Sequence, residues 1–225
     1  MDKKTFGYAF KASIPVMTGY IVLGIGFGML MQSRGYGLLW SLCMSVFIYA
    51  GSMQYVAIDL ITGGATFIAT VIMTLMVNIR HVFYGITMLD KYKGVRMAKP
   101  YLIFALTDET FSLVCSPKLP EDADTERYYF FVSLLDQIYW VAGSVAGSLL
   151  GNVFPFSTDG IDFSMTALFF VILLGQWESE KEHKPAIIGI AVSAACIFIF
   201  GASNFLIPSM LIITAVLFAA KRYMK

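Results

Sequence analysis

Long apolar runs separated by short polar connections fill this chain. The first, Ala12 to Gln32, is long enough for a helix rising 1.5 Å per residue to cross a hydrocarbon layer of about 30 Å. Others follow at 38–60, 64–89, 98–117, 127–151, 161–177, 186–200 and 205–220. The runs are continuous rather than alternating, which predicts helices and not the strands of a membrane barrel. The expected fold is therefore all-α: a polytopic helical membrane protein with about eight hydrophobic segments, some re-entrant or broken. The last two runs are short for full spans and are divided by Gly201-Ala202-Ser203-Asn204 and by Pro208. The first run is longer than the apolar core of a signal peptide and has no small-residue cleavage site, so it is expected to be a retained helix.

The polar connections are few. Asp90 to Lys99 is basic, Pro117 to Arg127 is acidic and flanked by prolines, and Trp177 to Pro185 is mixed. None could form a soluble domain, so residues 1–225 read as a single integral membrane domain. Gly24, Gly28 and Ser41 recur 123 positions later as Gly147, Gly151 and Ser164. Transporters are often built from two repeats, and the spacing places a pseudo-repeat boundary near 118–126.

Composition changes the picture by fixing the solvent. Hydrophobic residues make up 58% of the chain and charged residues 14%, against about 25% charged in a soluble domain. Mean hydropathy is +0.73. A chain of this size has too little interior to hide that surface from water, so its expected partner is the lipid bilayer. A net charge of +1 gives no bulk attraction to nucleic acid. Cys43, Cys115 and Cys196 lie in apolar stretches without paired spacing and read as small apolar fillers. No metal or cofactor site is predicted, and no hydrolase, zinc-protease or nucleotide-binding motif occurs.

Basic residues gather on the cytoplasmic side of short loops, and this rule puts both termini in the cytoplasm. Lys91, Lys93, Arg96 and Lys99 then fall on the wrong side if every segment spans. Two readings fit. Either this loop departs from the rule, or 98–117 and a piece of 38–89 enter and leave on one face, which requires a cavity beside them.

Ionisable residues inside apolar runs are functional candidates by default. Here they are Asp59, Arg80, His81, Asp108, Glu109 and Asp136. Asp59 and Asp136 read as interfacial or locally hydrogen-bonded. Three clusters stand out. Around Gly51, Met53 and Gln54, small residues let a helix break and expose its backbone to a ligand, or let helices pack closely. Asn78 and His81 share a helix face while Arg80 points elsewhere; Arg80 offers a fork for a carboxylate, or snorkels to headgroups. Asp108 and Glu109 differ by about 100° in direction. One of them can neutralise Arg80, and the other can hold an amino group or a coupling proton. The aromatic residues Tyr128, Tyr129, Tyr139 and Trp140 suit an interface belt or packing. Gly143, Gly147 and Gly151 repeat the spacing of helix contact faces.

Taken in order, the glycine-rich first helix, Tyr49-Ala50-Gly51-Ser52-Met53-Gln54, Asn78-Ile79-Arg80-His81-Val82-Phe83-Tyr84-Gly85 and Leu106-Thr107-Asp108-Glu109-Thr110-Phe111 resemble the AzlC family. These are the azaleucine-resistance, branched-chain amino acid export permeases of bacteria. Ser52 stands where the family usually has alanine. The resemblance implies a secondary transporter in the bacterial cytoplasmic membrane that exports leucine, isoleucine, valine and sometimes methionine. It also implies a small hydrophobic partner subunit of the AzlD type. For a zwitterion with an aliphatic tail, the expected contacts are Arg80 or a helix N-terminus near Gly51 for the carboxylate. Asp108 or Glu109 would take the amino group, Gln54 or Asn78 would orient it, and Met53, Phe83 and Phe111 would supply apolar wall. His81, Asp108 and Glu109 are the candidates for proton coupling. The competing expectation is a membrane scaffold or assembly subunit whose buried polar residues only lock helices together.

Overall fold

A computed structural model describes residues 3–95, 98–117, 119–153, 182–201 and 205–220, together with Phe170, Leu173, Leu174 and Trp177. The predicted segment 161–177, including Ser164 of the repeat, falls almost wholly outside the described residues. So do the basic residues Arg96, Lys118, Lys181, Lys221, Arg222 and Lys225.

Every regular element among the described residues is helical. Helix α1 covers Lys3–Ser33, and α2 (Gly37–Cys43) runs into a π-helical turn, Met44–Ile48. Helices α3 (Gly51–Thr62), α4 (Phe67–Asn78), α5 (Arg80–Met88), α6 (Lys99–Phe104) and α7 (Asp108–Val114) are short. Helix α8 is Thr125–Val153. Helices α9 (Lys184–Phe200) and α10 (Leu206–Ala220) pack on each other. Among the described residues, only α1 and α8 are each long and apolar enough to cross a membrane, and α4 with α5 makes a third crossing if that pair, bent by 46°, is one span.

The described residues therefore do not establish eight full spans. The run 98–117 is two helices of about 10 Å each, with a break at 105–107, and 38–60 is interrupted at 49–50. The bilayer core is about three times longer than either piece. Outward side chains are apolar, with Phe67, Phe198 and Phe218 at 80–91% exposure, as expected where the solvent is lipid.

Helices α1 and α8 are held together by glycine. A Cβ on Gly24 would lie 2.9 Å from the Ser144 amide nitrogen, and one on Gly143 would lie 2.8 Å from the Ile21 carbonyl oxygen. Gly28 and Gly147 press still closer, on Ser144 and Ile25. The two backbones thus touch along the small-residue stripes. Beside this seam Tyr20, Leu23, Phe27 and Met31 pack with Tyr139 and Trp140 of α8 and with Tyr49 and Tyr55. Tyr128 and Tyr129 pack in a second core with Tyr92, Leu102 and Val114. Packing, not an interface belt, accounts for these aromatics.

The breaks have local causes. Tyr49 closes the π turn with φ 45°, a left-handed backbone on a bulky residue. Such a conformation costs on the order of 1–3 kcal/mol, and it is held by burial of the ring, which is 3% exposed and tilted against Phe104. Thr107 starts α7 by accepting the Thr110 amide on its hydroxyl at 3.2 Å, an N-cap followed by two acids in the first turn. At Ile79 the chain turns between α4 and α5, and His81 Nδ1 donates to the freed Asn78 carbonyl at 3.0 Å.

Candidate functional site

All three breaks open on one hollow. It is lined by Tyr49 to Met53 at the start of α3, by Asn78, Arg80 and His81 at the α4–α5 bend, by Thr107, Asp108 and Glu109 at the start of α7, and by Tyr20 and Trp140. Arg80 Nη2 donates to Asp108 Oδ2 at 3.0 Å and to the Ser52 hydroxyl at 2.9 Å. The pair joins three short helices, and its side chains retain 23% and 12% exposure. Arg80 faces the hollow together with Asn78 and His81, contrary to the expectation for one continuous helix. The bend after Asn78 resets the helical phase and turns Arg80 inward.

Helix α3 begins at Ala50 without a side-chain cap. The first amides of a helix have no partner within it, and here they sit beside the Arg80 fork. Gly51 has no side chain because Trp140 lies over it; a Cβ there would be 3.2 Å from the indole. The indole is held by its Nε1, which donates to Gln54 Oε1 at 3.0 Å.

Of the residues singled out in the sequence, Gly51, Met53, Asn78, Arg80, His81, Asp108 and Glu109 border the hollow. Gln54 is fully buried behind the wall and touches it through Trp140. Phe111 stacks on Tyr84 at 4.4 Å, and Tyr84 meets His81 edge-on, so Phe111 supports the wall from outside. Phe83 does not line the hollow. Sequence reading assigned no place at the hollow to Tyr20 or Trp140, and Tyr49 and Ser52 stood within the cluster around Gly51 and Gln54 with no role of their own. It also placed Asp136 at an interface or in a local hydrogen bond; Asp136 is fully buried and accepts from Thr110.

The polar hollow is small, about 30 Å³, room for about two water molecules. A second, larger and more open hollow of about 280 Å³ adjoins it and shares Tyr49, Ala50, Met53, Asn78 and His81, with Thr74, Ile103, Phe104 and Leu106 beyond. A third of about 410 Å³ lies past His81 between α5 and α6. The Arg80–Asp108 charges thus sit at one point, with a mixed hollow beside them and a mostly apolar one beyond His81.

The protein family described as AzlC protein matches residues 15–154. The branched-chain amino acid transport protein AzlC of Bacillus subtilis is 44% identical over 212 residues, 94% of this chain and 84% of that protein. An uncharacterised membrane protein of Helicobacter pylori is 38% identical over 99% of this chain and 97% of its own length. The inner membrane protein YgaZ of Escherichia coli is 26% identical over 79% of this chain and 75% of its own. No solved structure matches.

Proposed function

Because the chain belongs to the AzlC family, a family of membrane transport, we propose that it is a secondary transporter exporting branched-chain amino acids. Leucine, isoleucine, valine and methionine are the substrates of this reading. The membrane is the bacterial cytoplasmic one, both termini are on its inner side, and the chain works with a small hydrophobic subunit of the AzlD type.

The observation that carries this reading is the Arg80–Asp108 pair, set between the uncapped start of α3 and a larger adjoining hollow. A buried ion pair that loses one partner leaves an uncompensated charge, which costs about 3–5 kcal/mol. A zwitterion brings both charges and can open the pair without that penalty. Its carboxylate goes to Arg80 and the uncapped α3 amides beside it. Its ammonium goes to Asp108 or Glu109, and Asn78 orients it. Gln54 acts by holding Trp140, and Phe111 by backing Tyr84. The aliphatic tail enters the larger hollow past Met53, toward Ile103, Phe104 and Leu106. A proton coupled through His81, Asp108 or Glu109 would drive net movement.

In the scaffold reading the same polar groups only lock helices, and no flux follows. The two separate in proteoliposomes loaded with labelled valine, leucine or methionine, with and without the small subunit and a pH gradient. Saturable valine efflux, reduced in Asp108→Asn, is expected. No flux in any arm sinks the transport reading.

A further inference from the structure

Behind the wall of the hollow lies a buried acid that the substrate contacts above do not use. Asp136, on α8, has no exposed surface. Its Oδ2 accepts from the Thr110 hydroxyl at 2.8 Å, and its Oδ1 has no hydrogen-bond partner among the described residues. From Thr110 a row of oxygens leads back to the hollow. The Thr110 and Thr107 hydroxyls are 3.1 Å apart, Thr107 and Tyr20 are 2.7 Å apart, and Tyr20 reaches Glu109 Oε2 at 2.6 Å. All five side chains are at most 7% exposed.

Counting hydrogens constrains this row. Five groups make four oxygen–oxygen contacts, and each contact needs one hydrogen between its oxygens. The hydroxyls of Tyr20, Thr107 and Thr110 carry one apiece. The fourth hydrogen has to be carried by a carboxyl. We propose that Glu109 and Asp136 share a single proton along the Tyr20–Thr107–Thr110 hydroxyl chain, and that Asp136 is the inner station of the proton coupled to transport.

The transfer balances without any co-reactant. The Glu109 O–H bond breaks as its proton passes to the Tyr20 oxygen. Tyr20 gives its own to Thr107, Thr107 to Thr110, and Thr110 to Asp136, where a new O–H bond forms. Each hydroxyl ends neutral and reversed, Glu109 ends as the anion, and no electrons move. Thr107 stays satisfied in both directions because its oxygen also accepts the Thr110 amide. The titratable groups facing Asp136 are Tyr20 from α1, Tyr49 from the π turn, Tyr101 from α6, Glu109 from α7 and Tyr128 from its own helix. Phenols are neutral near pH 7, so Glu109 is the group that trades a proton with Asp136. On its other side Glu109 faces Asp108 and Arg80. An ammonium arriving there favours the Glu109 anion and sends the proton inward. This last step rests on the transport reading, whereas the shared proton does not.

Two measurements separate them. Infrared spectra of the purified protein at neutral pH read the C=O stretch of a protonated, buried carboxyl. The band is expected in the wild type, is expected to shift in Tyr20→Phe and Thr110→Val, and to vanish when Asp136→Asn and Glu109→Gln are combined. No such band in the wild type, or its persistence in the double variant, overturns the shared proton. In proteoliposomes, Asp136→Asn and Thr110→Val are expected to keep valine exchange, while flux driven by a pH gradient falls about tenfold or more. Full pH-driven flux in both variants, or loss of exchange in both, overturns the coupling. If the wild type moves no valine, the transport reading and its coupling fail together, and the infrared result decides the shared proton.

Discussion

Removing Asp108 alone takes the carboxylate from Arg80, which keeps the Ser52 hydroxyl, and removing Arg80 takes the cation from Asp108. Each single change, Asp108→Asn or Arg80→Gln, is expected to lower stability by about 3–5 kcal/mol. The double variant leaves two neutral amides that can bond each other, so most of that loss is expected to return. Transport is not expected to return, because neither charge remains to meet the zwitterion. Thermal unfolding of the three variants beside valine efflux checks this; efflux restored in the double variant would make the pair structural only. Residues at this scale were legible where a charge interrupts an apolar run: Arg80, Asp108 and Glu109 announce themselves. Of the two alternatives for Asp136, the interface fails and the hydrogen bond is present, but to Thr110 on another helix; an acid near the edge of a run suggests an interface. The helix in fact begins at Thr125, about three turns earlier. Ser52 and Trp140 carry no such signal, since a small hydroxyl and a large ring are ordinary in membrane helices.

At the scale of elements, the glycine contacts make a sharp claim. A side chain on Gly147 meets the Ile25 backbone, which cannot rotate away. Gly147→Leu is expected to push α1 from α8 and to cost at least the upper part of the ~1–3 kcal/mol typical of overpacking. Gly7→Ala, on the same α1 but in open space, is expected to change stability by less than about 1 kcal/mol. Melting temperatures in detergent compare the two; equal losses would remove the seam from the account of stability. The Gly143, Gly147 and Gly151 stripe was readable from its spacing, but its partner on α1 was not, because periodicity names a face and not what covers it. The breaks were hidden for a different reason. Tyr49, Ile79 and Ala105 are neither glycine nor proline, and hydropathy averages across them. At Tyr49 the cause is tertiary, a ring buried against Phe104, whereas the histidine on the freed Asn78 carbonyl and the Thr107 cap are local contacts three residues apart that hydropathy does not register.

For the molecule as a whole, the polar hollow holds about 30 Å³ as it stands, so in the transport reading the Arg80–Asp108 pair has to open to admit a zwitterion. Where that movement falls can be tested by tethering. Gln32 and Gly151 meet at the end of the α1–α8 contact, with 3.1 Å from the Gln32 Cβ to a Cβ built on Gly151, near the range that a disulfide bridges. With Cys43, Cys115 and Cys196 replaced, a disulfide between Gln32→Cys and Gly151→Cys is expected to form and to leave valine efflux within about twofold of the reduced protein. Arrested efflux on oxidation would assign the motion to these two helices instead. The expectation follows from how they mesh. Where main chain bears on main chain there are no rotamers to change, and any slide by a single residue jams carbonyls into neighbouring α-carbons. The two long helices therefore behave as an axle, fixed in register, and the half-length helices that carry Arg80 and Asp108 are the parts free to swing about it.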